Sequence, residues 1–534
     1  MFNLFTRKSG NYKDDILSGV TVSLLLVPEA IAFSFIAGVS PMVGLWSAVF
    51  VGFITAAFGG RPGMICGATG AIAIVAAQAV HLGKATGIEG MDIKYLVVAL
   101  LFAGVIQVII GLCKFGRFIR LIPHPVMMGF VNGLAIVIFL GQFLFFQSTV
   151  SVDDAGKMTS TWLNTTSLSI LVGLIILTMA IIVLLPKLTK AVPPTLIAIL
   201  AIAGITYFIP GSRDISDILA MLTGKAAEID NSFPLPTNLS GIPWDEKSFY
   251  LAILPISLTI ALVGLIESLL TLQLIDEITE TRGQGNRECI AQGAANIASG
   301  MFGGMGGCAT IGQSLINMKN GGRGRTSGIV GALTLLILIM FGSEIIMAIP
   351  VAALVGVMFM IVISTFEWST FKTFGKVDPS ELIIILAVTL VTVFMHNLAL
   401  AVAVGVVLSA LIFAWKSSRH VYVHIEQESE TEKIYSVEGL IYFGSVKEFA
   451  EQFQASSDTA DIVIDFEKAR ICDLSAIEAI NAMSERYKNA GKNLRLRHLS
   501  PDCRATLKRA GNLADIEILP DDPDYSVASL RASV

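Results

Sequence analysis

Charge is what this chain has least of. Of its 534 residues only 15% are Asp, Glu, Lys or Arg, against 54% hydrophobic, and the mean hydropathy is +0.72. Soluble domains carry about 25% charged residues, so the scarcity excludes an ordinary soluble protein and points to a polytopic membrane protein. A net charge of −5 argues against nucleic acid as a partner. Cysteine is also sparse and scattered: Cys66, Cys113, Cys289, Cys308, Cys472 and Cys503 form no CxxC and no metal-like spacing. They read as small buried residues in a reducing or lipid setting. Among the six histidines, His81, His124 and His396 fall near the ends of apolar runs, with no ligand cluster. No metal, cofactor or catalytic constellation is expected, and hence no enzyme. No cleavable leader is evident, because the first apolar segment, of about 20 residues, runs straight into more membrane sequence.

The charge that is present is segregated. Of 79 formal charges, 35 lie in the last 119 residues. The division predicts a transmembrane part over 1–415 and a soluble domain over 420–534. With about 20 apolar residues per crossing, breaks at Gly, Pro and charge clusters place spans near 16–38, 41–58, 67–81, 94–113, 125–146, 167–185 and 192–209. They resume near 250–275, 286–302, 309–318, 326–347, 350–367, 380–395 and 399–415. Of these fourteen, 67–81 and 309–318 are short for full crossings. With the N-terminus inside, eighteen Lys and Arg fall on inner segments and six on outer loops (Lys84, Lys94, Lys157, Arg213, Lys225, Lys247). That bias fits the positive-inside rule and puts both termini in the cytoplasm. The amphipathic stretch 214–228 is expected along the outer surface. Asn164-Thr-Thr and Asn238-Leu-Ser match glycosylation sequons, but nothing else suggests a eukaryotic secretory route.

The apolar part repeats itself. The first span contains "VPEAIAF" (27–33), with Glu29 in mid-helix, and "CGATGAIA" (66–73) follows it. The eighth contains "LIESLLT" (265–271), with Glu267 in mid-helix, and "GCATIGQS" (307–314) follows it. "IPHPVMMGF" (122–130) and "IPVAALVGV" (349–357) then open the fifth and twelfth spans. The same three signatures in the same order, seven spans apart, predict inverted repeats over about 14–210 and 248–415. In such architectures short or broken helices meet near the midplane, where their N-termini expose unpaired N–H groups and positive dipole ends. Ends at Thr69-Gly70 and at Thr310-Ile311-Gly312 are suited to bind an anion without a basic side chain. Small residues that only let helices pack tightly are the competing reading.

A carboxylate at mid-membrane is costly, so a functional role is its default reading. Glu267 has Thr271 one turn away on the same helix face. It suits three roles: carrying a proton with the substrate, staying ionised to bind Na⁺, or bonding between helices as a neutral acid. Glu29 directly follows Pro28, and a helix broken there would free backbone groups for it to satisfy. Phe33, one turn on, is placed to wall the site or to face core or lipid.

From about residue 420 the periodicity changes. "HVYVHIE", "IYSVEGLIYFGS", "DIVIDFE" and "NLRLRHL" read as strands. "VKEFAEQF" and the segments 474–489 and 501–510 read as helices, which together make a compact α/β domain. Ser475, after a strand and at a helix start, is expected as the N-terminal cap.

These features together resemble the sulfate permease family, also called solute carrier family 26. They are "VPEAIAFSFIAGVSPMVGLWSA", "IPHPVMMGFVNG", the Glu267 helix and "GGMGGCATIGQS…NMKNGGRGRTSG". The tail resembles the domain shared by sulfate transporters and anti-sigma-factor antagonists (STAS). The resemblance implies an α-helical membrane protein of 7+7 inverted spans, like uracil permeases, whose core moves against a gate as an elevator. It implies a homodimer in the bacterial inner membrane with cytoplasmic STAS domains, and leaves a cytoplasmic protein partner of the tail open. Substrates across the family include sulfate, bicarbonate, chloride, oxalate and C4-dicarboxylates. By motif, Glu29 and Phe33 border the site, Thr69 and Gly70 match the third-helix end, and Ala309 and Thr310 match the tenth. Glu267 stands at the acidic position that couples Na⁺ in some relatives and H⁺ in others. Two departures matter: Gln313 stands near where many animal members carry a basic residue, and Glu29 where they often have glutamine. The lost positive charge and the extra carboxylate disfavour chloride exchange, and tip the expectation to H⁺-coupled symport over Na⁺ coupling or an uncoupled exchanger or channel. Asp473-Leu474-Ser475-Ala476 resembles the phosphoserine stretch of the antagonists and marks Ser475 as a regulatory candidate.

Overall fold

Backbone polar groups cut off from water must be satisfied within the chain, and apolar sequence of this length meets that demand with helices. The structure, a computed structural model, describes residues 12–116, 123–152, 158–188, 194–209, 212–218, 232–373, 376, 378–395, 398–418, 421–429, 431–510 and 517–520. It divides into two compact units, Met1–Val406 and Val407–Val534.

In chain order the apolar part comprises α1 (Tyr12–Ala37), α2 (Pro41–Phe58), β1 (Cys66–Gly67), α3 (Gly70–Lys84), α4 (Met91–Leu112) and α5 (His124–Gly141). A hairpin, β2 (Gln147–Val152) and β3 (Met158–Trp162), leads to α6 (Thr165–Leu188) and α7 (Pro194–Thr206). Then come α8 (Lys247–Thr279), α9 (Gly285–Met301), β4 (Cys308–Ala309), α10 (Ile311–Lys319) and α11 (Arg325–Phe341). α12 (Val351–Thr365), α13 (Pro379–Met395) and α14 (Leu398–Ser418) complete it. Among the described residues eight helices are long and apolar enough to cross a membrane, and α3, α7, α11 and α13 are shorter apolar helices. At 1.5 Å per residue the nine-residue α10 spans about 14 Å, half of a bilayer core. The β2–β3 hairpin was not foreseen. Of the residues used in the topology argument, Arg7, Lys8, Arg117, Arg120, Lys157, Lys190, Lys225 and Arg419 lie outside the described residues. So do His396 and positions 219–228 of the amphipathic stretch.

The helices pack as two groups. In one, α1 and α2 both pack on α11, α9 on α2 and α4, and α8 on α3 and α4. In the other, α5 packs on α12 and α13, and α6 on α7 and α12. Glycine lets α4 and α9 cross closely: a Cβ on Gly104 would lie 2.6 Å from the Gly293 carbonyl oxygen. α1 runs unbroken through Pro28, so that proline does not end the helix beneath Glu29.

The second unit carries a five-stranded sheet ordered β5 (Tyr422–Glu428), β6 (Glu432–Ile441), β7 (Asp461–Ile471), β8 (Asn493–Arg497), β9 (Glu517–Ile518). β5 and β6 are antiparallel and the other pairs parallel. Its helices are α15 (Val446–Glu451), α16 (Leu474–Asn489) and α17 (Pro501–Ala510). Val437, Phe449, Ile464, Phe466, Ile480 and Tyr487 fill the core between sheet and helices. Ser475 is not the cap of α16. Asp473 is, accepting from the Ala476 N–H at 3.0 Å, while its other oxygen accepts from the Phe443 N–H at 2.8 Å. A carboxylate with non-helical backbone one residue before the helix out-competes a serine already inside the first turn.

Candidate functional site

The glycine-rich run after α9 ends that helix and stays non-helical at membrane depth. Gly303 and Gly306 adopt φ of +72° and +74°, left-handed values that favour glycine. The exposed backbone groups that follow must find partners within the protein. Met305 N–H donates to Ser47 Oγ at 2.6 Å, Gly306 N–H to Ser299 Oγ at 3.2 Å, and Gly307 N–H to Asn296 Oδ1 at 2.9 Å. Gln292 Nε2 donates to the Gly307 carbonyl at 2.5 Å, and Ala309 N–H to Ser268 Oγ at 3.1 Å. Asn296 is held in turn by Gln107 at 2.9 Å, whose amide nitrogen donates to the Ala261 carbonyl at 3.2 Å. Sequence reasoning missed this scaffold. The available signal was three uncharged amides, Gln107 in apolar α4 and Gln292 and Asn296 in α9, which reads from the sequence as a span, where each needs a partner.

So fixed, the run pairs with its counterpart from the first half. β1 and β4 are antiparallel, with Cys66 opposite Ala309 and Gly67 opposite Cys308. Each strand turns directly into a short helix, α3 after Thr69 and α10 after Thr310, and neither threonine side chain caps its own helix. Thr310 spends its N–H and its hydroxyl on the Ile65 carbonyl, at 2.9 and 3.1 Å. The first-turn N–H groups of both helices are therefore without a side-chain cap where they border a cavity. A Cβ on Gly307 would lie 2.0 Å from the Gly67 carbonyl oxygen, so Gly307→Ala forces the two strands apart. We expect at least tenfold lower transport from an otherwise membrane-inserted protein, measured as uptake per folded molecule. Wild-type uptake in that variant would show that the strand pairing does not shape the site.

The cavity has a volume of about 160 Å³ and is lined by Glu29, Phe33, Thr69, Gly70, Glu267, Thr310 and Gln313, among others. Among the described residues its lining contains no Lys, Arg or His. At Gly312 an added Cβ would meet nothing within 4 Å, whereas at Gly70 it would press on Ile138 and Phe33. Six of the sequence candidates, Glu29, Phe33, Thr69, Gly70, Glu267 and Thr310, thus meet at one cavity. Ala309 and Thr271 are fully buried and not on its lining: Ala309 lies in β4, and the Thr271 hydroxyl donates to the main-chain carbonyl of Glu267 at 2.8 Å. Ser475 lies in the other unit.

Both carboxylates are bonded across to the second-half crossover. Glu29 accepts from the Gln313 side-chain amide rather than from its own helix. Glu267 Oε2 accepts from the Cys308 thiol at 2.9 Å, and that sulfur lies 3.0 Å from Thr69 Oγ1. A second cavity of about 560 Å³ shares Glu29, Gln313, Ile316, Ile361 and Ser364 with the first and extends past Leu17, Ser18 and Asn320. The Glu29–Gln313 contact therefore lies on the wall common to the small chamber and the larger cavity. Chemically, the chamber offers uncapped N–H donors and threonine hydroxyls to an anion, beside two groups able to carry a proton.

The family model described as the Sulfate permease family matches residues 12–388, and the model described as the STAS domain matches 422–523. The chain is 38% identical over 516 residues to YbaR of Bacillus subtilis, covering 95% of the chain and 100% of that relative. It is 30% identical over 505 residues to the bicarbonate transporter BicA of Picosynechococcus, covering 89% of the chain and 87% of the relative. Among solved structures, the overall structure of SLC26A9 superposes with a TM-score of 0.77 over 95% of this chain and 88% of that one. At 16% identity that likeness bears on the fold alone.

Proposed function

Because this chain belongs to the sulfate permease family, a family of transporters and not of enzymes, we infer that it is a secondary active transporter of a small anion coupled to protons. The observation that carries the reading is the chamber between the α3 and α10 N-termini, with two carboxylates and, among the described residues, no basic side chain on its lining. An anion held only by backbone dipoles leaves the carboxylates free to take up a cation with it. A volume of about 160 Å³, below the 300–1,000 Å³ typical of sites for drug-sized ligands, suits sulfate, bicarbonate or a short dicarboxylate. Relatives named for bicarbonate transport, and the family's own name, support the same class.

Two separately packed helical groups with the chamber between them support an elevator, in which the group bearing α1, α3, α8 and α10 carries the site past the group bearing α5 and α12. We further propose fourteen crossings as 7+7 inverted repeats, with the short α3 and α10 as half-helices. The remaining parts of the proposal are a homodimer in the bacterial inner membrane, cytoplasmic termini, and a STAS domain that recruits a cytoplasmic protein.

The test is uptake of labelled sulfate, bicarbonate and fumarate into proteoliposomes under an imposed pH or Na⁺ gradient. One of the three should be accelerated by inward protons and not by inward Na⁺. Acceleration by Na⁺ alone would overturn the proton assignment, and no acceleration by either gradient would leave an exchanger or channel.

A further inference from the structure

The Cys308 thiol occupies an unusual place in the chamber wall. Its sulfur is fully buried, 2.9 Å from Glu267 Oε2 and 3.0 Å from Thr69 Oγ1. It therefore bridges a carboxylate on α8 and the hydroxyl of Thr69, the residue before α3, one from each half of the chain. A carboxylate oxygen and a threonine hydroxyl about 3 Å from one point are the ligands a hard cation seeks. Ca²⁺, of nearly the ionic size of Na⁺, takes oxygens at about 2.3–2.6 Å. Sulfur is a soft donor suited to other metals, and an S–H that donates a hydrogen bond to Oε2 occupies the side of that oxygen a cation would approach.

We infer that Cys308 determines which cation couples to transport, by filling with sulfur the corner between Glu267 and Thr69 that Na⁺ would otherwise occupy. The thiol is a specificity-determining group: it holds the carboxylate for a proton, which needs no coordination shell, and denies it to Na⁺, which does. The groups facing Glu267 agree with this. The contact to its carboxyl is the thiol on β4, whose sulfur also reaches the Thr69 hydroxyl; the neighbouring titratable groups are Cys66 on β1 and Glu29 across the chamber on α1. Among the described residues no basic side chain lines the chamber, so exclusion of Na⁺ falls to the thiol rather than to a fixed positive charge.

This inference rests on the proton-coupled reading above, and its test separates the two. Cys308→Ser substitutes a hard oxygen donor for sulfur, and Cys308→Ala vacates the corner without adding bulk. Both are reconstituted beside the wild type, and uptake of the anion found active is measured with an inward Na⁺ gradient and with an inward H⁺ gradient. The wild type should respond to H⁺ and be indifferent to Na⁺. The serine variant should gain at least threefold stimulation by Na⁺, and the alanine variant a smaller one. In detergent, NaCl against choline chloride should raise the unfolding temperature of both variants and not of the wild type, a readout that lost packing would not produce. If both variants keep the wild-type ion profile and show no Na⁺-specific stabilisation, Cys308 does not select the ion. A wild type driven by Na⁺ would instead overturn the proton reading, and this inference with it.

Discussion

Glu267→Gln is expected to abolish proton-driven accumulation while leaving downhill exchange of the same anion. The amide keeps the shape of the carboxyl and can still accept from the Cys308 thiol, which lies 2.9 Å from the oxygen it would replace. What it loses is the capacity to bind and release a proton. One proton moving with a monovalent anion at zero membrane potential supports about tenfold accumulation per pH unit, since one unit is about 1.36 kcal/mol. The variant should therefore fall from that ratio to unity while retaining counterflow, measured with internal unlabelled anion at equal pH. Loss of both fluxes would point to a binding or folding role. Full accumulation would move the coupling to Glu29, the other carboxylate on the chamber, where Glu29→Gln would then show the effect.

Much of this site is legible in the sequence because membrane physics makes its parts conspicuous. A carboxylate inside twenty apolar residues, or a glycine-rich break between them, is too costly to be incidental, and each occurs twice in matching order. The chamber brings together Glu29, Phe33, Thr69, Gly70, Glu267 and Thr310 from that reasoning. What was not legible is which group meets which. Cys308 reads as a small apolar residue from composition, and only the β1–β4 register turns its sulfur toward Glu267 and Thr69. Gln313 was noticed for the charge it lacks, whereas its amide is the partner of Glu29. Thr271 shows the limit of helical spacing. One turn from Glu267, its hydroxyl back-bonds to the main chain of its own helix, a local option open to any helical threonine.

The tail was more legible in its elements than in its caps. The short apolar run in "DIVIDFE" and the 3.6-residue rhythm of 474–489 marked β7 and α16, because a central strand is buried along its length and the helix buries one face on the same core. The cap of α16 depends on one residue's backbone conformation, which no periodicity reports.

The second large effect is expected in that tail, from Asp458→Ala. Asp458 is almost completely buried beneath β6 and α16, where its carboxylate accepts from Tyr487 Oη at 2.5 Å, Tyr435 Oη at 2.7 Å and Lys433 Nζ at 3.2 Å. Burial pushes this carboxyl up, but the hydrogen bonds from Tyr487, Tyr435 and Lys433 together outweigh it and hold it below the usual carboxylate range. Lys433 answers in kind: burial alone would lower it, yet bonds to Glu428, Tyr435 and Asp458 leave it raised. Tyr435 is pushed up to about 12, first by burial and then by Asp458. The signs bound a plateau. A depressed carboxyl contributes stability above its unfolded value of about 3.9, lost as pH falls through the lower folded value. A raised lysine contributes below about 10.4, lost as pH climbs through its folded value. Removing the carboxylate leaves the Lys433 ammonium with only the half-exposed Glu428, 3.1 Å away, and strands two buried tyrosine hydroxyls, a change that costs about 3–5 kcal/mol when a buried pair is broken from one side. At about 1.4 kcal/mol per factor of ten, hydrogen exchange of β6 and β7 in the full-length protein should accelerate by roughly two to three and a half decades at neutral pH. The double variant Lys433→Met/Asp458→Ala should recover much of that protection, because no buried charge is then left unpaired and the exposed Glu428 is solvated. Exchange within threefold of wild type in the single variant would mean that water reaches Lys433 and takes over from the carboxylate.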